Sequence, residues 1–585
     1  MLIRRFSSIA FLAGQLVFCG GLAFAQDLQP SAIQQMQTIM QEKAGRTPAQ
    51  RKLDSHVHLS GQAARGVLTS ASFPALGTVT DGLELDGTGG VHVDIQANVN
   101  AALLAQIAAV GGRVESAFPD YDAIRAWIPL LSAEALAGRP DVVFIGPAEK
   151  SVTNSRLPVG ATGLRHKLSP AQRRENIRRQ LEAALPALAK RRLLSGLGLF
   201  TRPIDTKAEI SHGVDLVQNQ GITGAGIKIG VMSNGIDSLA AMTAAGNLPA
   251  VTVLSGQAGT GDEGTAMLEI VYDLAPGATL YYATANPSQA QFAINIQALA
   301  AAGCKIIVDD VTFYAEGVFQ DGIVAQAVNT VTAAGVMYFS SAANSGNLDS
   351  GTSGTWEGDF VAGAAIPVLG TATVHAFDGS HNYDAVTQAG SGYTTLKWSD
   401  PLGASCNDYD LYVLNSTMST VMAYSTSTQS CTQDPYEYVT TPPAVGYRIV
   451  IVKYSGVARA LHVDTNRGRL AIATSGATVG HNAAAAALTV AATPAQSTIF
   501  TSGNQTPESY SSDGPRKMFY NPNGTAITPG NILFATNGGT TLAKVDFTAA
   551  DCGQGAVTNF NPFCGTSAAA PVAASIAALD RKSVV

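Results

Sequence analysis

The chain has 585 residues, of which only 14% are charged, and a formal net charge of −7. This length exceeds what one hydrophobic core fills, so about two to four domains are expected. With 59 glycines and 46% hydrophobic residues, the composition is typical of a compact protein with many turns and excludes a disordered chain. The negative net charge argues against a nucleic-acid-binding protein.

Residues 1–25 have the pattern of a signal peptide. Arg4 and Arg5 give a basic start, an apolar run covers 9–18, and Ala-Phe-Ala at 23–25 is a small-x-small cleavage site. The apolar run is too short for a membrane anchor. The mature protein is therefore predicted to be secreted or periplasmic and free of the membrane.

Residues 26–150 are predicted to form a small α+β unit. Residues 26–68 are polar and weakly patterned, and the β-α-β pattern begins at about 69. The predicted strands cover 91–95, 123–129 and 142–145, and the predicted helices cover 101–110 and 132–136.

A basic stretch follows at 151–207, where many arginines and lysines occur together. Such a stretch is typical of an exposed helix or linker. It is also where proteolytic processing is easiest.

Two segments, 208–360 and 471–585, alternate strand and helix and predict one doubly wound α/β domain with a parallel sheet. The buried apolar run at 227–232 is typical of a central parallel strand. Between these segments, 361–470 has short alternating strands and no helical pattern, which predicts an inserted β-sandwich.

Five of the six cysteines lie beyond the predicted signal peptide. Cys304 lies in an apolar segment and is expected to be a buried thiol. Cys406 with Cys431, and Cys552 with Cys564, predict two local disulfides in an exported chain. Zinc is the competing interpretation, but the chain has no C-x-x-C motif.

Ser567 is the candidate nucleophile. It follows Gly565 and Thr566 and begins an Ala-rich predicted helix, where the free N–H groups and the helix dipole favour developing negative charge. On this tripeptide alone, an ordinary helix cap is the better interpretation.

The segment Gly-Thr-Ser-Ala-Ala-Ala-Pro at 565–571 resembles the nucleophile motif of subtilisin-like serine peptidases. Further segments resemble that family in the same order: 224–231 the strand before the catalytic Asp, 341–347 the oxyanion-hole segment, and 510–515 a late turn. The resemblance covers about 208–360 and 480–580. It implies a subtilisin-like fold, with Asn344 as oxyanion donor and residues 69–150 as an inhibitory propeptide.

The resemblance also has departures. Glu263 stands where the family has its catalytic His, and Ser233 or Asn234 stands where it has its Asp. The related sedolisin peptidases use Ser with Glu, but their orienting Asp, one turn after the Glu, is Met267 here. Glu263 is therefore the predicted general base, with a partner that must lie elsewhere.

Asp310 is the preferred partner of Glu263. It follows the predicted strand 305–308, at the sheet edge where doubly wound folds bind ligands, and two neighbouring carboxyls can share one proton. Asn234 is a second candidate, as a hydrogen-bond donor to Glu263. The alternative is that Asp309 and Asp310 only cap a loop.

The leading hypothesis is a secreted serine endopeptidase of subtilisin/sedolisin type, acting on proteins or peptides through Ser567, Glu263 and Asn344. Its own propeptide is a predicted inhibitor or folding aid, and no cofactor is required. The main alternative is a pseudopeptidase that kept the fold as an extracellular binding or surface protein. An esterase is a third interpretation, but there is no G-x-S-x-G nucleophile elbow to support it.

Two further expectations concern smaller features. Asp408 and Asp410 alternate on one predicted strand and could hold Ca²⁺, although two solvated acids on a sandwich edge are the preferred interpretation. The chain ends soon after the Ser567 helix, which suggests that a last helix of the family is missing.

Overall fold

The computed structural model describes residues 28–155, 207–286, 288–366, 372–496, 498–500 and 505–583. The predicted signal peptide at 1–25 and most of the predicted basic linker at 151–207 lie outside these ranges. Within them, no helix has both the length and the apolar character needed to span a bilayer.

The N-terminal region is an α+β unit built on an antiparallel sheet of order β2-β3-β1-β4. Its strands are β1 (Gly90–Ala97), β2 (Arg113–Phe118), β3 (Ala123–Pro129) and β4 (Val142–Pro147), followed by the short β5 (Val152–Thr153). Its helices are α1 (Pro30–Ala44), α2 (Ser55–Ala64), α3 (Leu76–Thr80), α4 (Ala101–Ala109) and α5 (Ala133–Ala137), with 3-10 turns at Gln50–Lys52, Pro119–Tyr121 and Leu130–Ser132. The polar pattern of 26–68 did not predict α1 and α2.

The first part of the α/β region alternates strand and helix as predicted. The strands are β6 (Lys228–Ser233), β7 (Thr252–Val253), β8 (Thr279–Thr284), β9 (Ile306–Asp309), β10 (Val311–Thr312) and β11 (Met337–Ser341). The helices are α6 (Ala208–Ser211), α7 (Val214–Gln218), α8 (Leu239–Ala244), α9 (Glu263–Leu274), α10 (Gln289–Ala301) and α11 (Ile323–Ala333).

A run of antiparallel strands interrupts this region, as the alternating pattern predicts. The strands are β12 (Thr355–Asp359), β13 (Ala362–Ala365), β14 (Thr373–His375), β15 (Asp384–Gln388), β16 (Thr394–Trp398), β17 (Asp408–Leu414), β18 (Val421–Ser425), β19 (Tyr436–Val439), β20 (Arg448–Ser455), β21 (Ala460–Asp464) and β22 (Arg469–Leu470). Two sheets result, β12-β21-β16-β19 and a second one built around β20. Trp398, Tyr409, Leu411, Ile451 and Val463 share one core that both sheets supply.

The last part returns to the parallel sheet. It contains β23 (Leu488–Pro494), β24 (Arg516–Met518), β25 (Thr540–Leu542), β26 (Phe547–Asp551) and α12 (Thr566–Ser583), with 3-10 turns at Gly480–Ala483 and Phe534–Thr536. The central sheet has seven strands in the order β26-β23-β11-β9-β6-β8-β7, all parallel. Residues of α9 and α12 share one core cluster, and residues of α10 and α11 share another. The predicted doubly wound α/β architecture is confirmed.

The predicted cysteine pattern is also confirmed. Cys406 is bonded to Cys431, Cys552 is bonded to Cys564, and Cys304 is a buried free thiol. Zinc binding by the two pairs is excluded, because disulfide sulfurs are not thiolate ligands.

The N-terminal unit packs on the inserted sandwich through a strand that is buried on both faces. Successive side chains of a strand point to opposite faces, so Tyr409 and Leu411 enter the sandwich core while Tyr412 packs in a cluster with Met36 and Met40 of α1. One strand thus joins two cores.

The prediction that Asp408 and Asp410 are solvated is wrong, because both are buried on the face of β17 that meets α1. Lys43 of α1 is buried as well, and its Nζ lies 2.5 Å from Asp408 Oδ1 and 2.6 Å from Asp410 Oδ1. Burial raises the pKa of Asp408 to about 7, an effect that Lys43 opposes. A side chain of the N-terminal unit faces these carboxylates.

Lys43→Met should weaken the folded state by about 3–5 kcal/mol, because it leaves two buried acids without their cation. Chemical unfolding followed by fluorescence measures this loss. Lys150→Met is the matched control: its partner Glu84 lies 2.8 Å away and both side chains are largely exposed, so about 0–1 kcal/mol is expected. Equal losses in the two variants would contradict a structural role for the Lys43 cluster.

Candidate active site

The candidate site lies at the point in the parallel sheet where the strand order reverses. β6 lies between β8 and β9 in the sheet, and the chain visits β8 before it returns to β9 on the other side. Ligands of doubly wound folds bind outside the carboxyl ends of strands at such a point. Ser233 ends β6, Asp310 follows β9, and Glu263 opens α9.

The turn before Ser567 is held by its main chain. Gly565 has a φ of 113°, a conformation that side chains with a Cβ rarely adopt. Its N–H donates to Asp551 Oδ2 over 2.9 Å, and the same oxygen accepts the Tyr510 hydroxyl. Ser567 is fully buried, and its Oγ makes no hydrogen bond to any residue that the structure describes.

Asn344 is fixed in one orientation beside this turn. Its Oδ1 accepts hydrogen bonds from the N–H of Thr566 at 3.2 Å and from the Thr566 hydroxyl at 3.0 Å. Its Nδ2 therefore points away from Thr566 and donates to the carbonyl oxygen of Asn154 over 2.7 Å. The N–H of Ser567 donates to the same oxygen over 3.2 Å.

The Asn154 carbonyl belongs to an extended segment that lies across the site. β5 pairs antiparallel with β10, and the Asn154 N–H donates to the Asp310 carbonyl over 2.8 Å. Arg467, from the inserted region, donates to the carbonyls of Thr153 and Ser155 on either side. A main-chain carbonyl is thus presented to the start of the Ser567 helix.

Glu263 is buried at the first position of α9, with 1% of its surface exposed. Its N–H donates to Asn234 Oδ1 over 3.2 Å, so the contact between these residues joins the Asn234 side chain to the Glu263 main chain. The predicted hydrogen bond from Asn234 to the Glu263 carboxylate is not among the contacts of the described residues. Asn234 caps the helix that carries Glu263.

Asp310 is fully buried beside Glu263. Burial raises the pKa of Asp310 well above its usual range, and the neighbouring Glu263 carboxyl raises it further. Glu263 and Asp310, predicted as partners, do lie together.

Asp309 points elsewhere. Its Oδ1 accepts from Ser340 over 3.0 Å and lies 3.2 Å from Nε2 of the buried His481. The Nδ1 of His481 lies 2.5 Å from Glu316 Oε1. These two acids outweigh the effect of burial and raise the pKa of His481 to about 10. No sequence motif marked His481, because its partners come from distant parts of the chain.

Asp551, Cys552 and Cys564 form the one group of potential metal ligands found among the described residues. The two cysteines are joined in a disulfide, and Asp551 binds the nucleophile turn. This group does not have the thiolates that a metal site would need.

No protein-family model and no curated protein matches the chain. Solved structures do match it at a distance. Fervidolysin from Fervidobacterium pennivorans, a keratinolytic enzyme related to subtilisin, has 12% identity and a TM-score of 0.30, and the match covers 86% of this chain and 56% of fervidolysin. The chain thus spans little more than half of that protein.

Two further matches are also proteases. The epidermin leader peptide processing protease of Staphylococcus aureus has 12% identity and a TM-score of 0.25, with 44% of this chain and 61% of that protein covered. The S41 psychrophilic protease has 12% identity and a TM-score of 0.26, with 62% of this chain and 79% of that protein covered. These TM-scores are too low for residue positions to be transferred from the matched structures.

Asp551→Asn should change how stability depends on pH. Burial raises the pKa of Asp551 to about 6, so its contribution to stability is present below the unfolded value near 4 and is lost as the pH rises through 6. The asparagine Oδ1 still accepts from Gly565 and Tyr510 but never ionises. Between pH 4 and pH 7, the free energy of unfolding of this variant should therefore rise relative to that of wild type by on the order of 2 kcal/mol.

Urea unfolding at the two pH values measures this difference. Asp551→Ala is the control, because it removes the acceptor and should be destabilised at both pH values. A constant difference between Asp551→Asn and wild type would show that Asp551 does not titrate in this way.

Proposed function

We propose that the chain is a serine endopeptidase with Ser567 as the nucleophile. One observation carries this proposal: Asn344 Nδ2 and the Ser567 N–H both donate to one main-chain carbonyl, at 2.7 and 3.2 Å. Two N–H donors on a carbonyl oxygen, one of them from a serine at a helix start, are the geometry of an oxyanion hole.

Glu263 is the proposed general base. The raised pKa of Asp310 keeps this carboxyl protonated, and its neighbour Glu263 is the proposed acceptor of the Ser567 proton. Asn234 positions Glu263 by capping its helix. The pair replaces the histidine that most serine peptidases use as a base.

The proposed reaction has two stages, acylation and hydrolysis. Ser567 Oγ attacks the peptide carbonyl carbon while its proton moves to Glu263. Asn344 and the Ser567 N–H stabilise the negative oxygen, and Glu263 then protonates the leaving amine. Water, deprotonated by Glu263, hydrolyses the acyl-enzyme and frees Ser567.

The N-terminal unit is the proposed inhibitor of this site. Its last strand, β5, occupies the edge of β10 where a substrate would pair. Lys43 anchors the unit to the inserted sandwich. Export through residues 1–25 is part of the proposal, and the two disulfides support an oxidising compartment.

A catalytically impaired binding protein is the second candidate. The observation that favours it is the lack of any hydrogen bond between Ser567 Oγ and another described residue. Proteolytic activity decides between the two candidates.

Ser567→Ala and Glu263→Gln should each lower casein hydrolysis by about 10³-fold or more, because each removes one half of the nucleophile–base pair. Release of acid-soluble peptides, measured from pH 3 to pH 8 with the purified full chain, gives the rates. Glu269→Gln, a buried glutamate of the same helix that binds the main chain of 556–557, is the matched control and should remain far more active than Glu263→Gln.

The outcomes separate the candidates. Activity that survives Glu263→Gln would move the base elsewhere. If wild type shows no cleavage at any pH, of casein or of itself, the chain is the binding protein and not the peptidase.

Asp310→Asn should change the pH profile more than the maximal rate. In wild type, activity should fall at high pH, where Asp310 ionises and places a second negative charge beside Glu263. An amide keeps an uncharged donor at this position, so the alkaline decline should disappear while most activity remains. Asp310→Ala lacks the donor and should lose activity at all pH values. An unchanged alkaline decline in Asp310→Asn would remove Asp310 from the mechanism.

A further inference from the structure

We infer that the substrate pocket is built for asparagine and that the protein cuts its own chain between Asn154 and Ser155. This inference rests on the proposed peptidase function and names the substrate class of the same site. It is carried by the side chain of Asn154, the residue whose carbonyl lies between the two N–H donors.

The Asn154 side chain fills a polar pocket. Asn154 is 2% exposed, and its Nδ2 lies 3.0 Å from Thr312 Oγ1 and 3.0 Å from Ser341 Oγ. Thr312 lies in β10, which pairs with the peptide, and Ser341 ends β11. Two hydroxyl oxygens therefore lie within hydrogen-bond distance of the Asn154 side-chain amide.

The direction of these hydrogen bonds is fixed from behind the pocket. Asn482 Nδ2 donates to the carbonyls of Val311 and Ser341, over 2.8 and 3.0 Å. Since carbonyls only accept, Asn482 Oδ1 must face Thr312, whose hydroxyl donates to it over 3.2 Å. Thr312 has then used its only proton, so its oxygen can only accept.

An acceptor in a closed pocket selects a donor. The amide of asparagine supplies an N–H to Thr312, whereas aspartate would place a second acceptor there, and leucine would leave the buried hydroxyl oxygens without a donor. A site that hydrogen-bonds its substrate rejects analogues without the matching group far more strongly than an apolar pocket rejects a change of size. Asparagine fits this pocket.

The wall behind the pocket is itself held rigidly. Ser340 Oγ lies 2.9 Å from Asn482 Nδ2 and donates to Asp309, which lies against His481. The proton of the Thr312 hydroxyl is directed to Asn482 Oδ1. Rotating this hydroxyl toward the pocket would break the buried bond behind it, so Thr312 stays an acceptor.

The same geometry identifies the bond that is cut. Ser567 Oγ adds to the Asn154 carbonyl carbon, and the C–N bond to Ser155 breaks. The Ser567 proton passes through Glu263 to the Ser155 nitrogen, which leaves as an amine. Water then converts the acyl-enzyme into the Asn154 carboxylate and free Ser567. No co-reactant other than water is needed.

The peptide is held on both sides of this bond. The Asn154 N–H donates to Asp310 over 2.8 Å, and Arg467 donates to the carbonyls of Thr153 and Ser155. A carbonyl fixed on both flanks beside a nucleophile has the proximity that accelerates attack.

Self-cleavage of the full chain tests the inference. Intact mass and N-terminal sequencing follow the appearance of a fragment that begins at Ser155. We expect this fragment from wild type, none from Ser567→Ala, and at least about 100-fold slower formation from Asn154→Asp and Asn154→Leu. Casein hydrolysis is measured in parallel, because it reports the proposed function separately.

A second set of variants covers the case in which a substitution at residue 154 disturbs the pairing of β5 with β10. Thr312→Val with Ser341→Ala makes the pocket apolar, and should slow cleavage after Asn154 while raising cleavage of the Asn154→Leu chain in the same background. Thr330→Val, the same exchange at an exposed helical position, is the matched control and should leave the preference as in wild type.

The results distinguish two failures. If casein is cleaved in a Ser567-dependent way but the chain is cut elsewhere, or if Asn154→Leu is processed as fast as wild type, the asparagine pocket is wrong and the peptidase stands. If neither casein nor the chain is cleaved, both proposals fail. Reversal of the preference by the apolar pocket would support the inference directly.

Discussion

The carbonyl oxygen of Asn154, held by Asn344 Nδ2 and the Ser567 N–H, is the contact on which the arrangement of the site depends. It joins three separate parts of the chain: the end of the N-terminal unit, the segment after β11, and the start of α12. Asn344 can make this contact because Thr566 fixes its Oδ1. Thr566 in turn is placed by the Gly565 turn, which Asp551 holds at the end of β26. Ser567, the proposed nucleophile, and the two N–H groups proposed as oxyanion donors are therefore positioned by one connected set of hydrogen bonds.

The buried carboxyl pair is the second constraint. Burial and the neighbouring Glu263 carboxyl raise the pKa of Asp310 well above its usual range, as expected for one of two acids at close range without water. The fold brings them together because α9 begins at the carboxyl end of β6 and Asp310 follows β9, the neighbouring strand. A histidine at position 263 would accept a proton without needing this neutral partner. The proposed role of Glu263 as a base therefore depends on the neighbouring Asp310.

The sequence predicted the parts of the molecule in which local pattern decides the outcome. Apolar runs such as 227–232 correctly indicated parallel strands, and the Gly-Thr-Ser segment indicated the turn at Ser567. Local pattern did not reveal contacts between distant segments. Asp408 and Asp410 alternate like solvated strand residues, and only the packing of α1 against β17 shows that Lys43 pairs with them. Asn154 was missed for the same reason: its neighbours in sequence are an ordinary strand end and a basic stretch, while its partners Thr312, Ser341 and Asn344 are far along the chain.

The inserted sandwich connects these features. β17 buries one face in the sandwich core and the other against α1, so the N-terminal unit is held by the insertion as well as by β10. Arg467, which follows β21 of the same insertion, binds the peptide on both sides of Asn154. A role in stabilising the α/β domain does not by itself account for the contacts between the insertion and the peptide that crosses the site. Its contacts to both ends of the N-terminal unit, at Lys43 and at Thr153, instead make the insertion the part of the chain that sets where β5 lies. A peptide carbonyl placed by main-chain pairing alone could slide along β10, whereas one also held by Arg467 and by the asparagine pocket has a single register.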